Sequence, residues 1–178
     1  TYRAKQPLMT IIHPEKAGDF VATMVDICDK QGDLPVWHLW GNETDCMVGD
    51  PGIPVVADAI VKGIEGFDRE AAFEAIKKTA AVEERGKEHR HKHGYIPCDI
   101  FSEAVAFDME YAIADAAAAN AAKALGKQAE YEHFTKMSHS YRTFFDKETG
   151  FIRGVDVNGQ FRTPFNPYFA AHRANDYC

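Results

Sequence analysis

The chain has 178 residues, 46% of them hydrophobic, with a formal net charge of −7 and a sequence pI near 5.6. This length and composition predict one globular domain with a substantial core. The acidic balance and the lack of a basic face exclude nucleic acid as a partner, because binding phosphates requires a positive surface. With no run of about 18 apolar residues and no charged-then-apolar leader, we expect neither a membrane span nor a signal peptide.

The first half of the chain shows helical periodicity on either side of one connector. Residues 7–12 indicate a short apolar link, and Pro14 can open a helix because its missing N–H has no partner in a first turn. Apolar residues then recur at helical spacing up to Gly32. A second helix is predicted over residues 54–64, and a third begins after Asp68, a good N-cap. The short links between them favour antiparallel helix pairs.

The connector, residues 34–50, carries side chains that a plain link would not need. Trp37 and Trp40 could offer flat apolar faces to a sugar ring. Other connector side chains could accept hydrogen bonds from hydroxyls or hold a hard cation. These are Asn42, Glu43, Asp45 and Asp50. The alternative is that both tryptophans lie in the core and the acids cap the next helix.

Residues 83–93 are the most polar segment of the chain. Its alternate histidines, His89, His91 and His93, could chelate a transition metal in an extended conformation. The basic residues among them would oppose a cation. We therefore predict a solvated surface loop here.

The four cysteines lack the spacing of a metal site. We predict free, mostly buried thiols, and one disulfide stays open if the protein is extracytoplasmic. The residues are Cys28, Cys46, Cys98 and Cys178.

The second half of the chain predicts two long helices followed by a turn. Residues 102–125 carry the longest helical pattern, and alanines on several faces indicate close contact with more than one neighbour. Gly126 is a natural stop, and residues 127–146 predict a further helix, so the two form an αα-hairpin. The Asn-Gly pair at 158–159 is a strong turn signal, and residues 150–161 therefore predict a small β-hairpin. The tail beyond it predicts an irregular loop.

No glycine-rich phosphate loop, nucleophilic Ser or Cys motif or zinc helix occurs in the sequence. The best carboxylate candidates lie on or beside apolar elements, where an unpaired carboxylate is unfavourable. They are Glu43, Glu103, Glu110 and Asp115. For Glu110 and Asp115 the alternative is a buried hydrogen bond that braces one helix against another.

Residues 41–49, Gly-Asn-Glu-Thr-Asp-Cys-Met-Val-Gly, and the following residues 53–63 resemble the central signature of the calcium-dependent exo-α-mannosidases of glycoside hydrolase family 92. Other stretches similar to that family follow in order, so the likeness covers nearly the whole chain. They include Tyr2-Arg3, Leu34-Pro35-Val36-Trp37, Gly94-Tyr95-Ile96-Pro97, Met109-Glu110-Tyr111-Ala112 and Gly150-Phe151-Ile152-Arg153.

The resemblance implies an all-α fold. Family members place a β-sandwich before an (α/α)6 toroid, with the site between them. Residues 1–178 are therefore expected to form a single unit, a partial toroid of antiparallel helix pairs with a small β-hairpin near its C-terminus. The partners implied are a mannose-containing glycan and the remainder of the same polypeptide.

The resemblance also implies the chemistry. The family hydrolyses terminal mannose with inversion, using a glutamic acid as acid and an aspartate as base, with calcium assisting at the sugar hydroxyls. The motifs that carry both carboxylates are absent here. We therefore expect no catalytic residue and no metal ligand in this chain, which should be inactive alone. The implied enzyme is extracytoplasmic and favours α-1,2 linkages.

By matching position, the resemblance assigns substrate-binding roles to five residues. They are Asn42, Glu43, Arg3, Glu110 and His172. The sequence departs from the family at residues 50–52, where Asp-Pro-Gly stands in place of Tyr-His-Ser, and this leaves the linkage open. Two other functions also stay open: another carbohydrate-active enzyme with an (α/α)6 toroid, and a non-catalytic helical binding module.

Overall fold

The computed structural model describes residues 2–169, which are mainly helical. The helices are α1 Lys5–Ile12, α2 Pro14–Gln31, α3 Gly52–Lys62, α4 Arg69–Ala80, α5 Lys87–His93, α6 Ala104–Ala124, α7 Gln128–Met137 and α8 Tyr141–Phe144. Two antiparallel pairs of short strands accompany them: β1 His38–Leu39 with β2 Asn42–Glu43, and β3 Phe145–Asp146 with β4 Phe151–Ile152. The helical class and a small β-hairpin near the C-terminus are thus confirmed. None of the helices within the described range is long and apolar enough to cross a membrane.

The main core lies where α2, α3, α4 and α6 meet. Its largest fully buried side chains include Phe73, Ile53, Ile76 and Val21. The buried alanines of α6 allow its neighbours to approach closely, as the sequence predicted. The predicted end of α2 is confirmed, because Gly32 takes a left-handed conformation there. Helix α3 begins and ends two residues earlier than predicted, and Gly63 caps it in a left-handed conformation. The Asp68 carboxylate caps α4 by accepting from the amides of residues 70 and 71 at 2.8 and 3.1 Å.

Helix α1 corrects the expectation of a connector over residues 7–12. Pro7 lies in the first turn, where its missing N–H removes no helical hydrogen bond. Leu8, Ile11 and Ile12 follow at helical spacing, and each is at least half exposed. The segment is too short for a clear periodic signal, and it lies against α2 and α3 although none of its residues is buried.

Helix α5 corrects the expectation of a solvated loop over residues 83–93. Lys87 and Arg90 are each only 3% exposed, because three-residue spacing places both on the inner face of the helix. The alternate histidines do not form an extended chelating row. Within residues 2–169, no group of three His, Cys, Asp or Glu side chains is poised to hold a metal ion.

The helix predicted over residues 127–146 is also corrected, since it divides into α7 and α8 and ends before β3. The break lies at Ser140, a buried residue whose hydroxyl donates to Asp108 on α6 at 2.5 Å. Asp146 then closes the turn into β4 by accepting from the Thr149 hydroxyl at 2.7 Å and from Arg153 Nη1 at 2.7 Å.

The β-hairpin predicted over residues 150–161 lies earlier in the chain than expected. The paired strands are β3 and β4, and the Asn-Gly turn at 158–159 closes an isolated bridge between Val155 and Phe161. Cys28 and Cys98 are buried free thiols and Cys46 is an exposed one, while Cys178 lies outside the described residues.

Candidate functional site

The connector between α2 and α3 folds into a β-hairpin that the sequence did not predict. Leu39 pairs with Asn42, and the turn between them has positive φ at both Trp40 (54°) and Gly41 (80°). Two positive φ angles define the type I′ turn, which matches the twist of a hairpin and favours glycine second. The exposed fractions of Trp40 and Trp37 are 99% and 48%. Neither tryptophan therefore lies in the core formed by the described residues.

Both ends of the connector are anchored at one point on α4. The Leu34 amide donates to the Thr79 hydroxyl at 2.8 Å. At the other end, Lys87 Nζ donates to Asp50 at 2.9 Å and to the Thr79 carbonyl at 2.7 Å. These groups are buried, where a broken pair would leave an uncompensated charge. The connector is therefore a closed loop on a rigid base.

Glu43 organises the inside of this loop. Its carboxylate accepts hydrogen bonds from the amides of Val36, Trp37 and Thr44 at 2.8 Å and of Asp45 at 3.0 Å. Burial raises the pKa of the Glu43 carboxyl, but the backbone N–H donors outweigh burial, and the pKa lies below its ordinary value. Glu43 is therefore an ionised group that fixes the tryptophan-bearing turn.

Asn42, beside Glu43 on β2, has an exposed side chain. It lies at the rim of the turn that carries Trp40. The Asn42 amide can bond hydroxyls, and the exposed indole of Trp40, two residues earlier, can cover an apolar ring face, so the turn offers two groups suited to a sugar.

Two further predicted residues, Arg3 and Glu110, meet where the end of the connector packs against α6. The Glu110 carboxylate accepts from the hydroxyl of Tyr2 and from the guanidinium of Arg3. Burial, followed by the hydrogen bond to Glu110, raises the pKa of the Tyr2 phenol, so it stays a neutral donor. Gly49 packs against this carboxylate's helix, because a Cβ added to Gly49 would lie 2.3 Å from Glu110 Cβ.

The structure thus brings Arg3 and Glu110 into direct contact and lays the end of the connector against them. Asn42 and Glu43 lie on the hairpin of that same connector. His172 lies outside the described residues. Sequence reasoning missed Tyr2 as a partner of Glu110 and missed Lys87. A buried lysine in a polar segment carries no signal that distinguishes it from its solvated neighbours.

Asp115 braces helices, as the alternative interpretation held. It accepts from Arg90 Nη1 at 2.6 Å, while Arg90 Nε donates to Asp108 at 3.2 Å. Asp108 also accepts from the Ile96 amide at 2.7 Å and the Ser140 hydroxyl. This buried network joins α5, α6 and the segment after α7. Its polar groups are engaged with one another, which favours a structural role.

A calcium site does not fit the acids of the connector. Calcium takes six to eight oxygen ligands, mostly from free carboxylates and carbonyls. Here Glu43 is occupied by backbone amides, and Asp50 is paired with Lys87 at 2.9 Å and with Arg85 at 3.3 Å. Asp45 lies 3.4 Å from Arg85. Every connector acid in the described range is therefore already neutralised or hydrogen-bonded.

Two cavities lie beside residues described above, one next to Tyr2 and one next to Arg90 and Asp115. One of about 270 Å³ lies beside Tyr2 and is lined by Pro54, Val55 and Asn120 among others. The other, of about 550 Å³, lies between α4 and α7 and does not include the connector. Its buried polar pair, Arg90 and Asp115, is satisfied internally.

The chain is similar to known proteins over its whole length. Residues 1–178 match the glycosyl hydrolase family 92 catalytic domain. A family 92 α-mannosidase of Bacteroides thetaiotaomicron, with two solved structures of which one is a complex with mannoimidazole, is 41% identical with a TM-score of 0.90 over 94% of this chain. An inverting family 92 mannosidase of the same organism is 32% identical with a TM-score of 0.86 over 93% of this chain.

The chain spans only part of these solved relatives, covering 22% to 24% of their own length. A comparison with functionally curated proteins gave no match.

Proposed function

The chain belongs to glycoside hydrolase family 92, and on that premise we propose that it forms part of the catalytic domain of an inverting α-mannosidase. The observation that carries the proposal is the TM-score of 0.90, at 41% identity, to a family 92 α-mannosidase solved in complex with mannoimidazole. The substrate is a glycan with terminal mannose, and α-1,2 linkages are the first choice. The chain contributes one wall of a partial (α/α)6 toroid and is inactive alone.

We assign the residues of this chain to substrate binding. Trp40 presents a nearly fully exposed indole that can cover the apolar face of a sugar ring. Asn42 is exposed beside it and can exchange hydrogen bonds with hydroxyls. Glu43 holds the turn that carries both, through four backbone amides.

Arg3 and Glu110 form the second binding element. Arg3 is largely exposed, so part of its guanidinium is available to a hydroxyl while Glu110 orients it. Glu110 is fixed by Tyr2 and by the close approach of Gly49. His172 joins these residues as a substrate contact by its matching position in the sequence. The contacts in this wall orient the sugar, and they do not transfer a proton.

Inversion needs an acid to protonate the leaving oxygen and a base to activate water on the opposite face. The carboxylates described here are committed to backbone amides, arginines or lysine, which supports placing both catalytic groups outside these residues. Calcium, which the family resemblance implies, is likewise assigned to ligands outside the described range. The remainder of the polypeptide, with a β-sandwich domain, supplies these groups, and the enzyme is extracytoplasmic.

The test is a hydrolysis assay on the polypeptide that contains this chain with its flanking sequence. Mannobiosides of each α-linkage are supplied with calcium or with a chelator, and NMR follows the first-formed anomer. We expect release of β-mannose from the α-1,2 substrate and loss of activity with chelator. Inertness towards every α-mannoside, or first release of α-mannose, would contradict the proposal.

A further inference from the structure

Arg85 contacts the connector near the end that leads into α3. Its Nη2 donates to the carbonyl oxygens of Met47 at 2.6 Å and Gly49 at 3.0 Å. Its Nη1 lies 3.3 Å from Asp50 Oδ1 and 3.4 Å from Asp45 Oδ1. One guanidinium therefore contacts four residues of the arm of the connector that leads back to α3, residues 45–50. The planar fork of an arginine can make such a multiple contact, and a lysine cannot reproduce it.

The backbone and ring contacts of Arg85 fix where this guanidinium lies. Arg85 has a positive φ of 57°, which is uncommon for a residue with a side chain. Its carbonyl accepts from the Tyr111 hydroxyl at 2.9 Å, and its guanidinium lies 5.7 Å from the centre of the Phe107 ring. Both aromatic residues belong to α6. Backbone strain of this kind persists only where surrounding contacts require it, and it concentrates at functional sites.

The arm held by Arg85 is the one that touches Glu110. Gly49 lies in close contact with the Cβ of Glu110, whose carboxylate binds Tyr2 and Arg3. A movement of the arm would therefore move Gly49 against α6 and change the space beside the Arg3–Glu110 pair. The remaining anchor, Lys87, holds only Asp50 at the far end of the arm.

We propose that Arg85 is a positioning residue that fixes residues 45–50 against Glu110 and so sets the geometry of the sugar-binding wall. The inference rests on the proposed function for its link to substrate. Arg85 acts through the connector and does not touch the sugar. Nothing in the polar segment of residues 83–93 distinguishes this arginine from its neighbours at the level of sequence.

The test compares Arg85→Ala and Arg85→Lys with Arg142→Ala and Arg142→Lys, because Arg142 is an exposed arginine on α8. The first readout is hydrogen exchange of residues 44–53 by mass spectrometry in the flanked polypeptide, because the Asp45 amide donates to Glu43 at 3.0 Å and the Ile53 amide to the Asp50 carbonyl at 3.1 Å, one at each end of the held segment. Losing the two hydrogen bonds from the Arg85 guanidinium to backbone carbonyls should speed exchange there at least about tenfold in Arg85→Ala. Arg85→Lys should be intermediate, and both Arg142 variants should match the parent protein. Unchanged exchange in Arg85→Ala, or an equal rise across all helices, would overturn the positioning role.

The second readout is kinetics of α-mannoside hydrolysis in the flanked polypeptide. If Arg85→Ala displaces the sugar-binding residues, kcat/KM should fall about 100-fold and KM should rise. The pH dependence of the rate should stay that of the parent enzyme. Compared with Arg85→Ala, the Arg85→Lys variant should regain more of the parent's melting temperature than of its kcat/KM. If the parent enzyme is active and neither Arg85 substitution changes kcat/KM, the inference about Arg85 is overturned and the proposed function stands. An inert parent enzyme would overturn the proposed function, and hydrogen exchange would still decide whether Arg85 fixes the arm.

Discussion

Replacing Gly49 with alanine tests the contact between the connector and α6. The φ angle at Gly49 is +77°, and an added Cβ would lie 2.3 Å from Glu110 Cβ. A left-handed conformation costs a residue with a side chain about 1–2 kcal/mol. Overpacking of a tight contact adds about 1–3 kcal/mol. Gly49→Ala should therefore lower the free energy of unfolding by about 2–5 kcal/mol.

Gly126→Ala is the matched control, because Gly126 has a φ of +72° and a Cβ there would meet nothing within 4 Å. Both variants carry the same conformational penalty and the same change in the unfolded chain. Urea denaturation followed by circular dichroism gives both free energies of unfolding, provided that the slope with urea is unchanged. Gly49→Ala should be less stable than Gly126→Ala by about 1–3 kcal/mol. Equal losses would refute the contact between Gly49 and Glu110.

Three further substitutions test other parts of the structure. A glycine-to-alanine change in a helix interior normally stabilises the protein by about 0.5–1 kcal/mol. In Gly18→Ala the new Cβ would lie 2.0 Å from the Glu65 carbonyl oxygen, so chemical denaturation should show a lower free energy of unfolding. Asp146 has its pKa lowered to about 2, chiefly by the hydrogen bond from Arg153. Its contribution to stability is therefore present above about pH 4 and lost as the pH falls through 2, so acid titration should destabilise the parent protein more than Asp146→Asn. Trp40→Ala should change the free energy of unfolding by less than about 0.5 kcal/mol, because the side chain is 99% exposed. In the flanked polypeptide it should weaken mannoside binding about 3- to 10-fold in calorimetry, and tight binding by this variant would count against the sugar-stacking role.

The long helices could be predicted because local signals and tertiary packing agree there. Pro14, Gly32 and Asp68 mark helix ends through backbone chemistry that acts within one turn. Helix α1 was not predicted, because its eight residues are too few for a clear periodic signal. The break after α7 depends on Ser140 reaching Asp108, a partner 32 residues away.

The candidate site could be predicted only in part, for a similar reason. The connector attracted attention because its tryptophans and acids are unusual together, and Trp37 and Trp40 are indeed exposed. The roles of the charged residues depend on distant partners that no local pattern reveals. Lys87 and Arg85 lie in the segment that suggested a solvated loop, yet they bind Asp50 across more than 30 residues of sequence. In the sequence, a charged residue that is buried against an acid looks the same as one that is hydrated at the surface.

The most direct test of the central claim is a crystal structure of the flanked polypeptide with bound mannoimidazole, the ligand held by a solved relative. If this chain forms a wall of the sugar site, a ligand atom will lie about 3 Å from a polar atom of Arg3, Asn42, Glu43 or Glu110. A well-ordered ligand whose contacts all come from outside residues 1–178 would contradict the claim.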